Sequence, residues 1–253
     1  MSRSDSAGTP WEGRHFDQNA FPGDDGSAPE RLTEALRRFR AREAGEVDVV
    51  DAFRDSRLLI PLVARLGESG LGDHGLPVDK RAELSIVTVA GPDGRNVMPV
   101  FSSVDTMRQW NPQARPVPAD AVRMALAAAS EDTELVVLDP TSATEFVIRR
   151  PALWAIAQSR PWTPSYVDEE VIGEFRASAE RENTVSAITL RAGDPDARLA
   201  GPELLVDLAL VPGLGQGDLD VLLARLRDRW STSPVVTARV DSMRVQLTAA
   251  PSA

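Results

Sequence analysis

Two histidines are the only candidate imidazole bases in the chain, His15 and His74. His74 lies in Gly72-Asp73-His74-Gly75, where Asp73 could orient it and a serine near in space could act as nucleophile. No G-x-S-x-G elbow accompanies it, so the loop reads more simply as exposed. A second motif is Gly213-Leu214-Gly215-Gln216-Gly217-Asp218, after a strand and before a helix. Its backbone N–H groups could approach an anion, but the spacing is not G-x-G-x-x-G, no P-loop Lys-Ser/Thr follows, and Asp218 at the helix start would repel phosphate. A flexible turn with Asp218 as N-cap is the plainer reading. Asp24-Asp25 and Asp194-Pro195-Asp196 could meet a divalent cation, yet neither has the spacing of a calcium loop. With no cysteine, the chain excludes disulfides, thiolate zinc sites and thiol catalysis. No cofactor and no metal are expected.

A net charge of −10 argues against nucleic acid. The one basic cluster, Arg37, Arg38, Arg40 and Arg42, reads as a solvated helix face, as do Arg123 and the pair Arg149-Arg150. Lys80 is the only lysine, a bias that points to a GC-rich genome. No apolar run reaches the ~18 residues of a membrane span, and the first twenty residues lack the apolar stretch of a secretory signal. A cytoplasmic protein is expected.

Residues 1–29 are poor in aliphatics and predict a disordered tail. The pattern then begins: Leu32, Ala35, Leu36 and Phe39 make one helix face, with Gly45 as its stop. Val49, Val50 and Phe53 suggest a second helix. Leu58 to Val63 reads as a strand, near an edge or a bulge because of Pro61. Leu84 to Val89 and Val97 to Phe101, joined by Gly91-Pro92-Asp93-Gly94, predict a hairpin. Ser102 or Ser103 caps the next helix, which turns Met107 and Trp110 inward and ends at Asn111-Pro112. Val122, Ala125, Leu126 and Ala129 form another helical stripe. Leu135 to Leu138 and Glu145 to Ile148 predict a strand pair, and Pro151 opens a helix that buries Leu153, Trp154 and Ala157.

Residues 159–166 read as a linker, after which the pattern restarts. A helix follows Asp168, strands cover Val185 to Leu190 and Leu204 to Leu210, and Gly193 to Pro202 is a polar loop. Leu219, Leu222, Leu223, Leu226 and Trp230 predict an amphipathic helix, and Val235 to Val240 and Met243 to Leu247 predict closing strands.

Several of these residues together resemble a known family. They are Phe53-Arg54-Asp55-Ser56, Leu59-Ile60-Pro61, Asp93-Gly94, Met98-Pro99-Val100-Phe101-Ser102-Ser103, Trp110 and Val137-Leu138-Asp139-Pro140, with the helix from Pro151. This set resembles the SseB N-terminal domain, a family named for enhanced serine sensitivity. Met98 stands where leucine is commoner, and Asp139 where asparagine often sits. The resemblance implies an α+β fold of two mixed domains with small sheets flanked by helices: residues 30–158, then the linker, then a C-terminal domain over residues 167–250. It implies no catalytic residue. The expected role is a non-enzymatic binding or regulatory protein linked to amino-acid (serine) metabolism. The alternatives are a hydrolase-like enzyme and a structural homo-oligomer. The candidate interaction surface is Pro99, Phe101, Ser102, Ser103 and Trp110, or the junction between domains, and the partner is a protein or a small ligand such as an amino acid.

Overall fold

The computed structural model describes residue 21 and residues 23–65, 83–131 and 133–249. His15, His74, Asp73 and Lys80 lie outside them. Among the described residues are eight helices and ten strands, an α+β arrangement.

The first half opens with α1 (Glu30–Arg40) and α2 (Glu46–Arg54). Leu32, Ala35, Leu36 and Phe39 are buried on α1 as their spacing requires. The stop differs from expectation. Arg42 takes φ +61 after the helix, whereas Gly45 is the N-cap of α2. Three strands, β1 (Arg57–Arg65), β2 (Glu83–Ile86) and β5 (Arg115–Asp120), form an antiparallel sheet in the order β2-β1-β5. A second sheet, β3-β4-β6-β7, combines β3 (Val89–Ala90), β4 (Asn96–Val100), β6 (Val136–Leu138) and β7 (Phe146–Ile148). Leu59 and Phe101 join the two sheets, each N–H donating to the other's carbonyl at 2.9 Å.

That bridge explains the prolines. Because Leu59 spends its backbone groups on Phe101, it stands opposite Pro118 of β5 at a position that needs no ladder bond. Two residues on, Pro61 faces Pro116 in the same phase. Pro61 therefore sits in the middle strand, at the point where its neighbour changes from Phe101 to β2. The expected hairpin is only β3 with β4, since β2 leaves to pair with β1.

Helix α3 (Val104–Trp110) follows β4, α4 (Ala121–Ser130) follows β5, and α5 (Arg150–Ala157) follows β7. On α4 the buried face is Ala121, Met124, Ala125 and Ala128, and Leu126 is exposed. On α5 the buried residues include Ala152, Leu153 and Ile156; Trp154 is exposed under the Arg150 guanidinium, 4.8 Å from its ring centre.

The second half holds α6 (Glu169–Glu180), β8 (Val185–Ala192), β9 (Leu204–Leu210), α7 (Gln216–Thr232), α8 (Pro234–Arg239) and β10 (Met243–Ala249). Its sheet order is β10-β9-β8, with β10 parallel and β8 antiparallel to β9. Leu204, Val206, Leu208 and Leu210 meet Val171, Phe175, Leu222, Leu226 and Trp230 in one core. Val235 to Val240, expected as a strand, is largely α8. Ser233 caps it by accepting from Val236 N–H, and Pro234 takes the first helical position.

Candidate functional site

Two buried polar centres organise the molecule. The first holds the residues singled out by the sequence. Pro99 is buried in β4, opposite Val137. Phe101 is fully buried, with its ring centre 5.3 Å from that of Trp110. Ser102 and Ser103 are buried too, and only Trp110 is partly exposed. These five residues, expected as an interaction surface, thus lie mostly inside. Phe101 packs in an apolar cluster with Leu59 and Met107, and Ser102 faces Asp139, which is completely buried. Its carboxylate accepts from Ser102 N–H (2.8 Å), Ser102 Oγ (2.7 Å), Thr106 Oγ1 (2.8 Å) and Thr144 Oγ1 (3.0 Å). Four donors satisfy a buried carboxylate without a cation. Asp139 takes φ +45, a conformation that Asp and Asn tolerate better than most residues. Ser103 caps α3 by accepting from Thr106 N–H at 3.1 Å.

The second centre joins the halves. Arg149, the N-cap of α5, is buried rather than solvated. It donates to Asp194 Oδ2 (2.7 Å), Gly201 O (3.0 Å), Asp241 Oδ2 (3.1 Å) and Ser242 Oγ (3.4 Å). Arg95 reaches the same Asp241 with both Nη atoms at 3.0 Å and gives Nε to Asp93 at 2.8 Å. Burial would raise the Asp241 pKa, but the hydrogen bonds and charges of Arg95 and then Arg149 outweigh it and hold it below the ordinary value. Asp241 N–H donates to Glu203 at 2.5 Å, and burial pushes Glu203 up. Tyr166 OH donates to Glu46 at 3.0 Å, tying α2 to the second half. Burial raises Glu46 to about 7, and the Glu203 charge adds to the rise.

The β8–β9 loop makes this possible by folding tightly. Gly193 N–H donates to Glu203 O at 2.8 Å, and a Cβ on Gly193 would stand 2.3 Å from Pro202 O. Glycine alone permits that approach. The loop reaches into the first half, where Val147 N–H donates to Ala197 O at 2.9 Å. Arg40 donates to Asp196 O and Glu145 O, and Arg42 pairs with Asp196 at 2.6 Å. The arginine cluster is therefore not simply a solvated face: Arg40 and Arg42 hold this loop, while Arg37 pairs with Glu34 and Glu43. Arg150 donates to Thr237 O and Val240 O at the end of α8. Arg123 stays exposed as expected, beside Asp120.

Asp194, considered for a cation, is buried against Arg149. Asp24 pairs with Arg57 at 2.8 Å. Residues 23–29, expected in the tail, run along the body there, and Gly26 O accepts from Val104 N–H. Among the described residues no group of three or more His, Asp or Glu side chains could hold a metal ion. No described helix is long and apolar enough to cross a membrane. The glycine run is a turn: Gly213 has φ +92, and Gly215, not Asp218, is the N-cap of α7.

Above the second centre lies a cleft of about 550 Å³, between the β3–β4 turn and the start of β10. Asp93, Arg95, Gly201, Asp241, Ser242 and Arg244 help to line it. Arg244 is exposed and has no ion-pair partner among the described residues. The cleft is therefore lined both by a guanidinium with no ion-pair partner among the described residues and by the partly exposed Asp93 carboxylate. The sequence pointed to the junction between domains as one of two candidate surfaces but not to this set of residues, because the charges come from segments about 150 residues apart. Arg149-Arg150 just before a helix-opening proline was the available signal.

Residues 32–155 match the family model described as the SseB protein N-terminal domain. No curated protein and no solved structure matches the chain. The matched segment supplies Arg95 and Arg149; Asp194, Asp241 and Arg244 lie beyond it.

Proposed function

From the match of residues 32–155 to the SseB protein N-terminal domain we propose that this chain is a cytoplasmic, non-enzymatic binding protein for a small zwitterion. The ligand class is an amino acid, with serine first in view of the family's name. The site is the cleft between the β3–β4 turn and β10. Residues 167–250 serve on this reading as a second SseB-type domain that completes the site.

The observation that supports it is the charge left over in the cleft. Arg95 is shared between Asp93 and Asp241, whereas Arg244 is unshared. A free guanidinium suits a carboxylate, which it can bind through two parallel hydrogen bonds. The Asp93 carboxylate, held below its ordinary pKa by Arg95 despite burial, stays charged and can accept from an ammonium group. One ligand bearing both groups satisfies both walls.

Thermal unfolding of the full chain against serine and a panel of other amino acids tests this. At one hundred times its dissociation constant, a ligand adds about 2.7 kcal/mol of stability. A saturable rise that disappears in Arg244→Ala is expected. No rise with any amino acid, or an equal rise in the variant, overturns the reading.

A further inference from the structure

The two edges of the second half's sheet are built differently. At the β8 edge the strand is bulged between Val185 and Ala187, and Arg191 folds back across the sheet to Asp207 and Gln246. Bulges and charges are the ordinary protection of an exposed edge. The β10 edge has neither a bulge nor a proline. Its seven residues, MRVQLTA, carry no carboxylate and one charge, Arg244. Among the described residues no strand pairs with its outer side.

The ladder phase fixes which backbone groups are free. Leu204 N–H donates to Ser242 O at 3.0 Å, so the even residues of β10 turn their backbone groups toward β9. Met243, Val245 and Leu247 turn theirs outward. The same three side chains lie on the helix side of the sheet, in register with Leu204, Val206 and Leu208. There α7 leaves them incompletely covered: Met243 is 36% and Leu247 42% exposed. A groove of about 420 Å³ is lined by Met243 and Val245 together with Leu223 and Trp230.

From this edge we infer that β10 pairs antiparallel with β10 of a second copy of the chain, making one six-stranded sheet through a two-fold axis. A two-fold contact requires a self-complementary strand, and this one qualifies. Centred on Val245, the pairing sets Met243 against Leu247 and Arg244 against Gln246. Centred on Gln246, it sets Val245 against Leu247 and Arg244 against Thr248. Both registers use the outward backbone groups, keep apolar residues opposite apolar ones and place no arginine against itself. In a chain of net charge −10, most surfaces repel their own copy. This strand, having no carboxylate, does not share that repulsion.

The mass of the full chain in solution, measured by light scattering over a concentration series, provides the test. A dimer of twice 27.4 kDa is expected, falling to the monomer mass in Leu247→Glu, a substitution at an exposed side chain. Because the chain has no cysteine, Val245→Cys and Gln246→Cys report the register directly. Facing Cα atoms in an antiparallel pair lie within disulfide reach, at about 4.5–5.5 Å. One of the two variants is expected to crosslink under mild oxidation. A monomer at every concentration overturns the inference. So does a dimer that survives Leu247→Glu and crosslinks through neither cysteine.

Discussion

Asp139 and Arg149 are both buried, and each holds four polar contacts, yet they do opposite work. Every partner of the Asp139 carboxylate lies between residues 102 and 144, inside the segment that matches the SseB domain. Every partner of the Arg149 guanidinium lies between residues 194 and 242, outside it. Asp139 is an anion satisfied by neutral donors, and it fixes the end of β4, the start of α3 and the β6–β7 turn as one piece. Arg149 is a cation satisfied by two carboxylates, and it fixes one half against the other. The first centre makes a domain. The second decides how that domain meets the C-terminal half of the chain, and so shapes the cleft.

Breaking the second centre has the largest expected effect. Arg149→Met leaves Asp194 buried without its cation, while Asp241 keeps Arg95. Removing one partner of a buried pair costs about 3–5 kcal/mol. Urea unfolding is expected to show that loss and to split into two transitions as the halves uncouple. Adding Asp194→Leu removes the stranded carboxylate and should recover part of the loss. A single transition shifted by under ~1 kcal/mol would show that Arg149 does not join the halves, since that is the scale of an exposed pair.

Asp139→Ala comes next. It strands the Ser102 N–H and leaves three hydroxyls to find new acceptors. One to two stranded groups cost on the order of 2–4 kcal/mol. Asp139→Asn keeps an acceptor and tolerates the positive φ, so about half that loss is expected. Unlike Arg149→Met, either variant should unfold in one transition. Two transitions in Asp139→Ala would erase the distinction between the centres.

The first centre was partly legible in the sequence and the second was not. Ser103 before α3 and the apolar runs of β6 and β7 are local signals, and they placed the strands and the cap around Asp139. The carboxylate itself read only as a strand stop, because most of its donors come from the start of α3, more than thirty residues earlier in the chain. Strand β5 was missed because Pro116 and Pro118 deny it a strand's appearance. They are harmless only in the phase set by Leu59. Helix α8 looked like a strand because Val235, Val236 and Thr237 are β-branched, although Ser233-Pro234 is a helix start. Arg149 looked solvated for a simpler reason. Its neighbours in sequence carry no carboxylate, and those that bury it arrive from the β8–β9 loop and from the residues just before β10.

Glu46 gives the smallest effect and the finest probe of the junction. Its carboxylate accepts from Tyr166 OH and feels Glu203, Asp194 and Arg149. Burial raises its pKa from 4.5 to about 7. A raised carboxylate pKa means that the folded state holds the proton more tightly than the unfolded one. The resulting stability is present below 4.5 and is lost as pH rises through about 7. Glu203, raised for the same reason, acts in the same direction, whereas Asp241, held low, loses its contribution only in acid. Between about pH 5 and pH 8 the wild type should therefore lose on the order of 1–3 kcal/mol. Glu46→Gln keeps an acceptor for Tyr166 and removes the titration, so its urea midpoint should fall less over that range and exceed the wild type's at the upper end. Equal slopes in the two proteins would mean that Glu46 stays charged throughout, with the junction open to water at Tyr166.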